Sequence, residues 1–526
     1  MDSLSESVEQ LYPRDIVQYL EIIAFSRNNN EKSELNEIQE KCLEECSNNE
    51  LLLLNFDNSS RLVEEIFKGY RPAAVQWMKA FMKIKKIKQL HLLYQGAACR
   101  TLETFLYALS PDYDSEIINH LIELVTDKWN DLIIDKSASR FIRSLMRYTV
   151  GLPRFTDVDT NKRKCDKKEH KRIKKVADRN KSLVMKQNNI NNDEVSLIVQ
   201  DAVECDAIAK TGFVLNFAMK GLEKPNDTLL QLKGKCSSRV WQKIFDVVDE
   251  DMRQSFFHSV LEGQLCDLAC HKFANYVIQN FILSASSEEL IVDIFDELLK
   301  DISVIFDNGK WSVINALAVA ACKCNIYQEE FLENIKLYFG CNTEETAKFF
   351  VPRVITLQND LIIDEVVQSI RFNTSLSNRL GSVLLQTLLN FDCNAIIIHS
   401  LVSLSKDCFM ELCKNAPGAY FLGLFISCRS VPKKKKEKIG LKSKDSLIDM
   451  ISDRCASHVF DAFWDSGLLK MDLKEKIMNY LRSNPRMVVK SKTGHAIMEK
   501  LNLRGYKENP KKWLKQEAAR MKTIKL

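Results

Sequence analysis

A short helical pattern returns along this chain at a nearly constant step, and that periodicity restricts the possible folds more than any other feature. Its clearest copy is HKFANYVIQNFI, His271 to Ile282. Asn275 and Gln279 lie four residues apart, so on a helix their side chains share one face, with Tyr276 beside them. Val277, Ile278, Phe281 and Ile282 supply the apolar face that packs the helix down. A pair of amides can hydrogen-bond the edge of a base, and a tyrosine can stack on its face. Any amphipathic helix has polar residues on its wet side, so recurrence decides whether the pattern carries meaning.

The same three polar slots recur. They hold Ser60, Arg61 and Glu64; Cys99, Arg100 and Glu103; Ser139, Arg140 and Arg143; and Ser238, Arg239 and Gln242. Downstream they hold Ser382 and Gln386, with Val383 between, then Ser457, His458 and Asp461. Weaker copies place Trp311, Ser312 and Asn315; Ala419, Tyr420 and Gly423; and His495 with Glu499. Most steps between middle slots are 36 to 40 residues. The step from 312 to 383 is nearly two periods, which predicts a degenerate repeat near Lys348. The step from 140 to 239 is one period plus an insert. The expected fold is an all-α, curved α-solenoid of about eleven two-helix repeats.

Composition agrees with a helical array. Gly 16 and Pro 10 are low counts for 526 residues, 45% are hydrophobic and 28% charged. No apolar run is long enough for a transmembrane helix, so no membrane partner is expected. The first residues lack the pattern of a signal peptide, so the sixteen cysteines are expected to be reduced. The best metal candidates, Cys266, Cys270 and His271, lack a second ligand pair, and no metal or other cofactor is expected.

Charge is segregated along the chain. Residues 1–50 carry a net −8 and read as an acidic helical cap, followed by repeats over 51–153. The stretch 154–192 is an insert whose charged, Asn-rich composition cannot bury a core and is expected to be disordered. Its part 154–181 nets +7, suited to phosphates or to nuclear import. Repeats resume over 193–502, interrupted by a basic loop at 432–444 that nets +6. Its tetralysine, Lys433 to Lys436, resembles a nuclear import signal. Residues 503–526 also net +6 and are expected to form a cap helix docked through Trp513. The repeat body is not basic overall, so RNA binding would need its cations gathered on one face, as the middle-slot arginines could do.

No catalytic constellation is present. There is no HExxH, no phosphate loop, no GxSxG and no dinucleotide fingerprint, so no enzymatic activity is expected.

The triplets resemble those on the RNA-facing helices of PUF (Pumilio-type) repeats. The Ser-Arg and Ser-His cores, the GSVLLQTLLNF run and the closing SKTGHAIMEK segment resemble the nucleolar protein 9 family. That resemblance implies a nucleolar protein that binds small-subunit ribosomal RNA precursor. It would act with pre-ribosomal assembly factors, as a monomer, in early subunit assembly and in timing precursor cleavage. By the PUF pattern, Asn275 with Gln279 would favour uracil, Ser60 with Glu64 guanine, and Ser238 with Gln242 adenine. Arginines can stack and also reach phosphates, which suits structured as well as single-stranded RNA. The alternatives are a HEAT- or armadillo-like protein-binding solenoid and a sequence-specific PUF-type regulator of mRNA.

Overall fold

The computed structural model describes residues 13–26, 32–110, 113–152, 190–359, 378–443, 446–484 and 492–523. Among these residues every regular element is a helix. Two compact units divide the chain, Met1–Val260 and Leu261–Leu526.

In the first unit five helices form an inner row, each packed on the next: α1 (Asp57–Phe67), α2 (Gly96–Leu106), α3 (Lys136–Thr149), α4 (Asp193–Ala209) and α5 (Ser237–Val247). Helix Arg14–Ser26 covers α1. The second unit repeats the plan with six: α6 (Ala274–Ser284), α7 (Trp311–Cys324), α8 (Arg379–Leu388), α9 (Ala416–Ser427), α10 (Ala456–Asp465) and α11 (Lys492–Lys500). Outer helices fill the intervals. Each unit is thus a two-layer array of helical repeats, an α-solenoid in plan.

Local chemistry starts these helices where they start. Asp135 accepts from the amides of Ser137 and Ala138 at the head of α3, and Asn192 accepts from Glu194 and Val195 at the head of α4. Asn378 and Asn415 do the same for α8 and α9. The apolar faces meet between layers: Trp77, fully buried on the outer helix Arg71–Lys83, touches Phe67 and Phe105 at ring distances of 5.2 and 5.5 Å. Burying one such side chain stabilises the fold by about 1.5–3 kcal/mol.

The residue just before each first slot sits over the last carbonyls of the preceding outer helix. Ser59 donates to Leu53 O and Ser237 to Gln231 O, each at 2.6 Å. At the same place in α8 and α9 there is no room for a side chain. A Cβ on Gly381 would lie 2.2 Å from Val354 O, and one on Gly418 2.3 Å from Leu412 O. The two layers approach so closely that only a small residue fits.

Two expectations need correction. No inner helix forms at Lys348: α7 packs directly on α8, and Phe350–Thr356 is the outer helix behind α8. The inner count over the described residues is still eleven, because α4, unseen in the sequence pattern, takes the missing place. The segment 432–444 is not a loop. Lys433–Ser443 is helical, since Ile439 is fully buried and the segment packs on the helices Ala395–Ser403 and Lys406–Lys414.

Most of the insert 154–192 lies outside the described residues, as do residues 1–12 of the N-terminal cap segment. At the other end, Trp513 of helix Pro510–Thr523 is buried and donates its indole N–H to Leu501 O. Lys474, fully buried, donates to Glu517 of the same helix and to Trp464 O.

Candidate nucleic-acid interface

The triplets occupy equivalent places on the inner helices, and their three slots have different surroundings. First slots are enclosed: Ser60, Cys99, Ser139, Ser238, Asn275, Ser382 and Ser457 are all buried. Three of them bond directly to the next repeat. Cys99 Sγ donates to Ser137 O, Ser139 Oγ to Glu194 Oε2 and Ser382 Oγ to Pro417 O. In each case the partner stands two residues before the next first slot. Ser60 meets the neighbouring helix at Thr101, at 2.8 Å.

That bond identifies residues the sequence pattern missed. Ser196 Oγ donates to Cys236 O, two residues before Ser238, so α4 carries the triplet Ser196, Leu197 and Gln200. The sequence SLIVQ at 196–200 matches SVLLQ at 382–386, a signal hidden by the insert that displaces it from the period. On α7, Asn315 donates to Leu380 O, two residues before Ser382. Asn315 therefore stands in the first slot, followed by Ala316 and Val319, and the expected register of Trp311, Ser312 and Asn315 is early by about one turn. Trp311 is instead buried against Phe306 and Phe339.

Third-slot glutamines are held in place by their own first slots. Gln200 donates to Ser196 Oγ at 3.1 Å, Gln279 to Asn275 Oδ1 at 2.9 Å and Gln386 to Ser382 Oγ at 3.0 Å. The Asn275 and Gln279 amides do meet on one face. Asn275, however, gives its own N–H groups to His271 O and Lys272 O, so it braces the helix start while half-buried Gln279 faces outward. Gln242 is likewise half-buried.

The charged third slots of the first unit are engaged in cross-helix pairs. Glu64 accepts from Thr104 at 2.8 Å. Glu103, with no side-chain exposure, lies 2.9 Å from Arg140 Nε and accepts from Ser144 at 2.7 Å. Arg143 and Arg147 both bond Asp201, and Arg147 and Lys243 share Glu204. Burial pushes the Asp201 carboxyl up, and the two arginines only partly offset it. Burial acts upward on Glu204 too, but hydrogen bonds from Lys243 and Arg147 outweigh it and hold that carboxyl below the usual range. Such a closed network ties α3, α4 and α5 together and leaves Arg143 little freedom to read a base.

Middle slots are the open ones except on α7, where Ala316 is buried. Arg61 and Arg239 are exposed, Arg100 and Arg140 half-exposed. In the second unit Tyr276 is 55% exposed, Val383 37% and Tyr420 68%, and His458 and His495 are exposed. The rings of Tyr420 and His458 lie nearly parallel, 15° apart in plane and 6.4 Å between centroids. The two rings thus offer neighbouring, nearly parallel faces on which a base can stack. Asp461, in the third slot beside His458, lies 3.2 Å from Lys500.

The two units differ in charge along the row. The first presents middle-slot arginines. In the second, α6, α9 and α10 carry no lysine or arginine at all, and Lys323 of α7 is turned to Ala285 O. The arrangement can hold phosphates along one unit and stack bases along the other. Among the described residues no group of His, Cys, Asp or Glu is placed to hold a metal ion, and no helix is long and apolar enough to cross a membrane.

Known proteins share this plan. Nucleolar protein 9 of Homo sapiens is 25% identical over 305 residues, 55% of this chain and 48% of that protein. Pumilio homolog 23 of Arabidopsis thaliana is 23% identical over 304 residues, 56% of this chain and 39% of that protein. The chain spans about half the length, or less, of these curated relatives. The structure of APUM23-GGAAUUGACGG superposes with a TM-score of 0.80 at 19% identity, covering 96% of this chain and 99% of that one. A form of it lacking an insert region gives 0.77 at 20%, with the same coverage. Residues 224–496, just over half of the chain, match the family model of the NOP9-like PUF repeat domain, and the chain belongs to that family.

Proposed function

We propose that this protein binds small-subunit ribosomal RNA precursor along its inner rows and acts in the nucleolus in early assembly of the small subunit. The observation that carries the reading is the series of middle slots at equivalent places on the inner helices, open everywhere but at Ala316 of α7. The slots hold arginine on four helices of the first unit, with Leu197 on α4, and are aromatic or aliphatic in the second. Stacking residues at repeat spacing suit successive bases, and arginines add phosphate contacts that suit structured RNA. The relatives named nucleolar protein 9 support a nucleolar site of action, and ribosomal RNA precursor is the RNA proposed there. The protein acts by occupying its RNA, which gives it a role in timing precursor cleavage, with assembly factors as further partners and no catalytic step of its own.

Base reading falls mainly to middle and third slots. Tyr276 stacks while Gln279 meets the base edge. Arg61, Arg100, Arg140 and Arg239 stack or hold phosphate. Ser60, Cys99, Ser139, Ser238, Asn275, Ser382 and Ser457 shape each subsite from beneath.

The test is crosslinking of the full chain to cellular RNA, followed by sequencing of the fragments. Binding is then measured on the recovered segment and on GGAAUUGACGG. Enrichment of small-subunit precursor, with affinity lost on Tyr276→Ala, is the expected result. Enrichment of messenger RNAs alone would favour an mRNA regulator. RNA affinity untouched by every middle-slot change would favour a protein-binding scaffold.

A further inference from the structure

The basic segment 432–444 presents itself as a linear signal in the sequence, but its folded form is different. Within the helix Lys433–Ser443, Lys436 is only 5% exposed, and burial pushes its amine down from the ordinary lysine value. Lys442 turns inward and gives its ammonium to Val402 O and Leu404 O, the carbonyl end of the helix Ala395–Ser403. Cations are favoured at such an end because unpaired carbonyls and the helix dipole gather negative charge there. Ile439 is fully buried, and a Cβ placed on Gly440 would lie 3.6 Å from the Phe463 ring of α10. Two of the lysines are therefore part of the fold. Lys433, Lys434 and Lys438 remain exposed and Lys435 half-exposed, with Glu437 the one acid on this helix. Exposed Arg429 precedes them.

We infer that this helix is a second, sequence-independent RNA-contacting surface on the outer layer of the second unit, which holds phosphates of RNA flanking the segment in the inner row. The partner follows from where this unit keeps its cations. Helices α6, α9 and α10 of the inner row have none, so a polyanion stacked there finds few counter-charges along the row itself. The outer helix Lys433–Ser443 carries them instead. Lysines act as point charges that hold phosphate without base preference. A linear import signal would need all its lysines accessible together, and Lys436 is not. An acidic protein partner would also be drawn to the charge. However, a protein interface is usually anchored by a desolvated apolar or aromatic centre, and on this helix Leu441 is the one large hydrophobic residue exposed.

The inference rests on the RNA-binding reading above, and its test separates the two. The full chain and the variant K433A/K434A/K435A/K438A are compared; alanine favours the helix, and Lys436, Ile439 and Lys442 are untouched. Affinity is measured across a salt series for GGAAUUGACGG, for the same RNA flanked by a run of uridines, and for the uridine run alone. The parent should bind the flanked RNA more tightly and with a steeper salt slope than the short one. The variant should keep the affinity for the short RNA and lose the gain from the flank. Its slope of log K against log salt should flatten by about 2 to 3, at roughly 0.7 per phosphate contact on a single strand.

Equal slopes for parent and variant on the flanked RNA would overturn the inference. So would a variant that binds flanked RNA normally but loses a polyglutamate probe, which would make the surface a protein dock. Salt-dependent binding of the uridine run that the variant loses supports the inference even if GGAAUUGACGG is not recognised. A parent that binds none of the three RNAs refutes both readings.

Discussion

Replacing Tyr420 by alanine tests the stacking ladder where its geometry is clearest. The tyrosine is 68% exposed, and its ring faces His458 at 6.4 Å with 15° between planes. A base stacked there would lie against these ring faces. Loss of one stacking partner costs about 1–3 kcal/mol. Since 1.4 kcal/mol is tenfold, Tyr420→Ala should weaken RNA binding about 5- to 150-fold. Stability should change by no more than about 0.5 kcal/mol, because so exposed a side chain buries little. The assay is fluorescence anisotropy with GGAAUUGACGG and with the crosslinked precursor segment, with a urea melt of the same preparations. His458→Ala should cost a similar amount. The double variant should cost less than the sum, because the two rings share one base and their contributions couple. Strict additivity would place two independent bases there. A Tyr420→Ala protein that folds normally and binds both RNAs as tightly as the parent would refute the reasoning.

Arg239→Ala should leave the urea midpoint within error and weaken RNA binding with a flatter salt slope. Arg140→Ala should also destabilise the first unit by about 1–3 kcal/mol, since it strips the enclosed Glu103 of an ion-pair partner. Gln200→Ala, in the triplet on α4, should relax base preference at one position in a competition assay and leave the others unchanged. Gly381→Ala should lower the urea midpoint, at a cost of about 1–3 kcal/mol, because the new methyl meets the Val354 carbonyl. Gly423→Ala, in the same unit with nothing within 4 Å of the added carbon, should be neutral or stabilising by up to about 1 kcal/mol.

The acid limb of stability should depend on Glu204, Asp465 and Glu517. Burial acts to raise all three carboxyls, yet their hydrogen-bonded lysines and arginines hold them below the ordinary range. The folded state then binds fewer protons than the unfolded one. Their contribution is full above the unfolded carboxylate pKa and is lost as pH falls through the lowered folded values. Urea melts between neutral and acid pH should show the loss, and Glu517→Gln should shrink it.

The sequence disclosed the array because the triplet spacing and the apolar stripe are local properties of one helix. HKFANYVIQNFI carries both, and α6 forms where it stands. The pattern failed where a chain interruption or a long-range bond decides the register. The fourth inner helix was hidden by the insert, although SLIVQ was legible. The spacing near Lys348 suggested a repeat because the chain between α7 and α8 is longer than one period, and its described part forms the helices Gln328–Tyr338, Glu344–Ala347 and Phe350–Thr356, none of them in the inner row. Asn315 could be assigned to its slot only through its bond to Leu380 O. Nothing in the triplets themselves announces that Cys99, Ser139 and Ser382 are buried, because the bond that holds each one reaches into the next repeat. The pairing of Glu103 with Arg140 was invisible for the same reason.

The bond from a first slot to the start of the following helix has a consequence for how such a protein can change its target. At Cys99, Ser139, Ser196, Asn315 and Ser382 one side chain both floors a subsite and fastens two neighbouring repeats. A substitution there that alters base choice also alters the joint, and shifts every subsite beyond it in that unit relative to those before. A middle or third slot has no such hinge to disturb wherever it is unpaired. Drift in specificity, in nature or by design, should therefore run through open middle slots such as Tyr276 and Val383, while the first slots keep a small polar side chain that can make the joint.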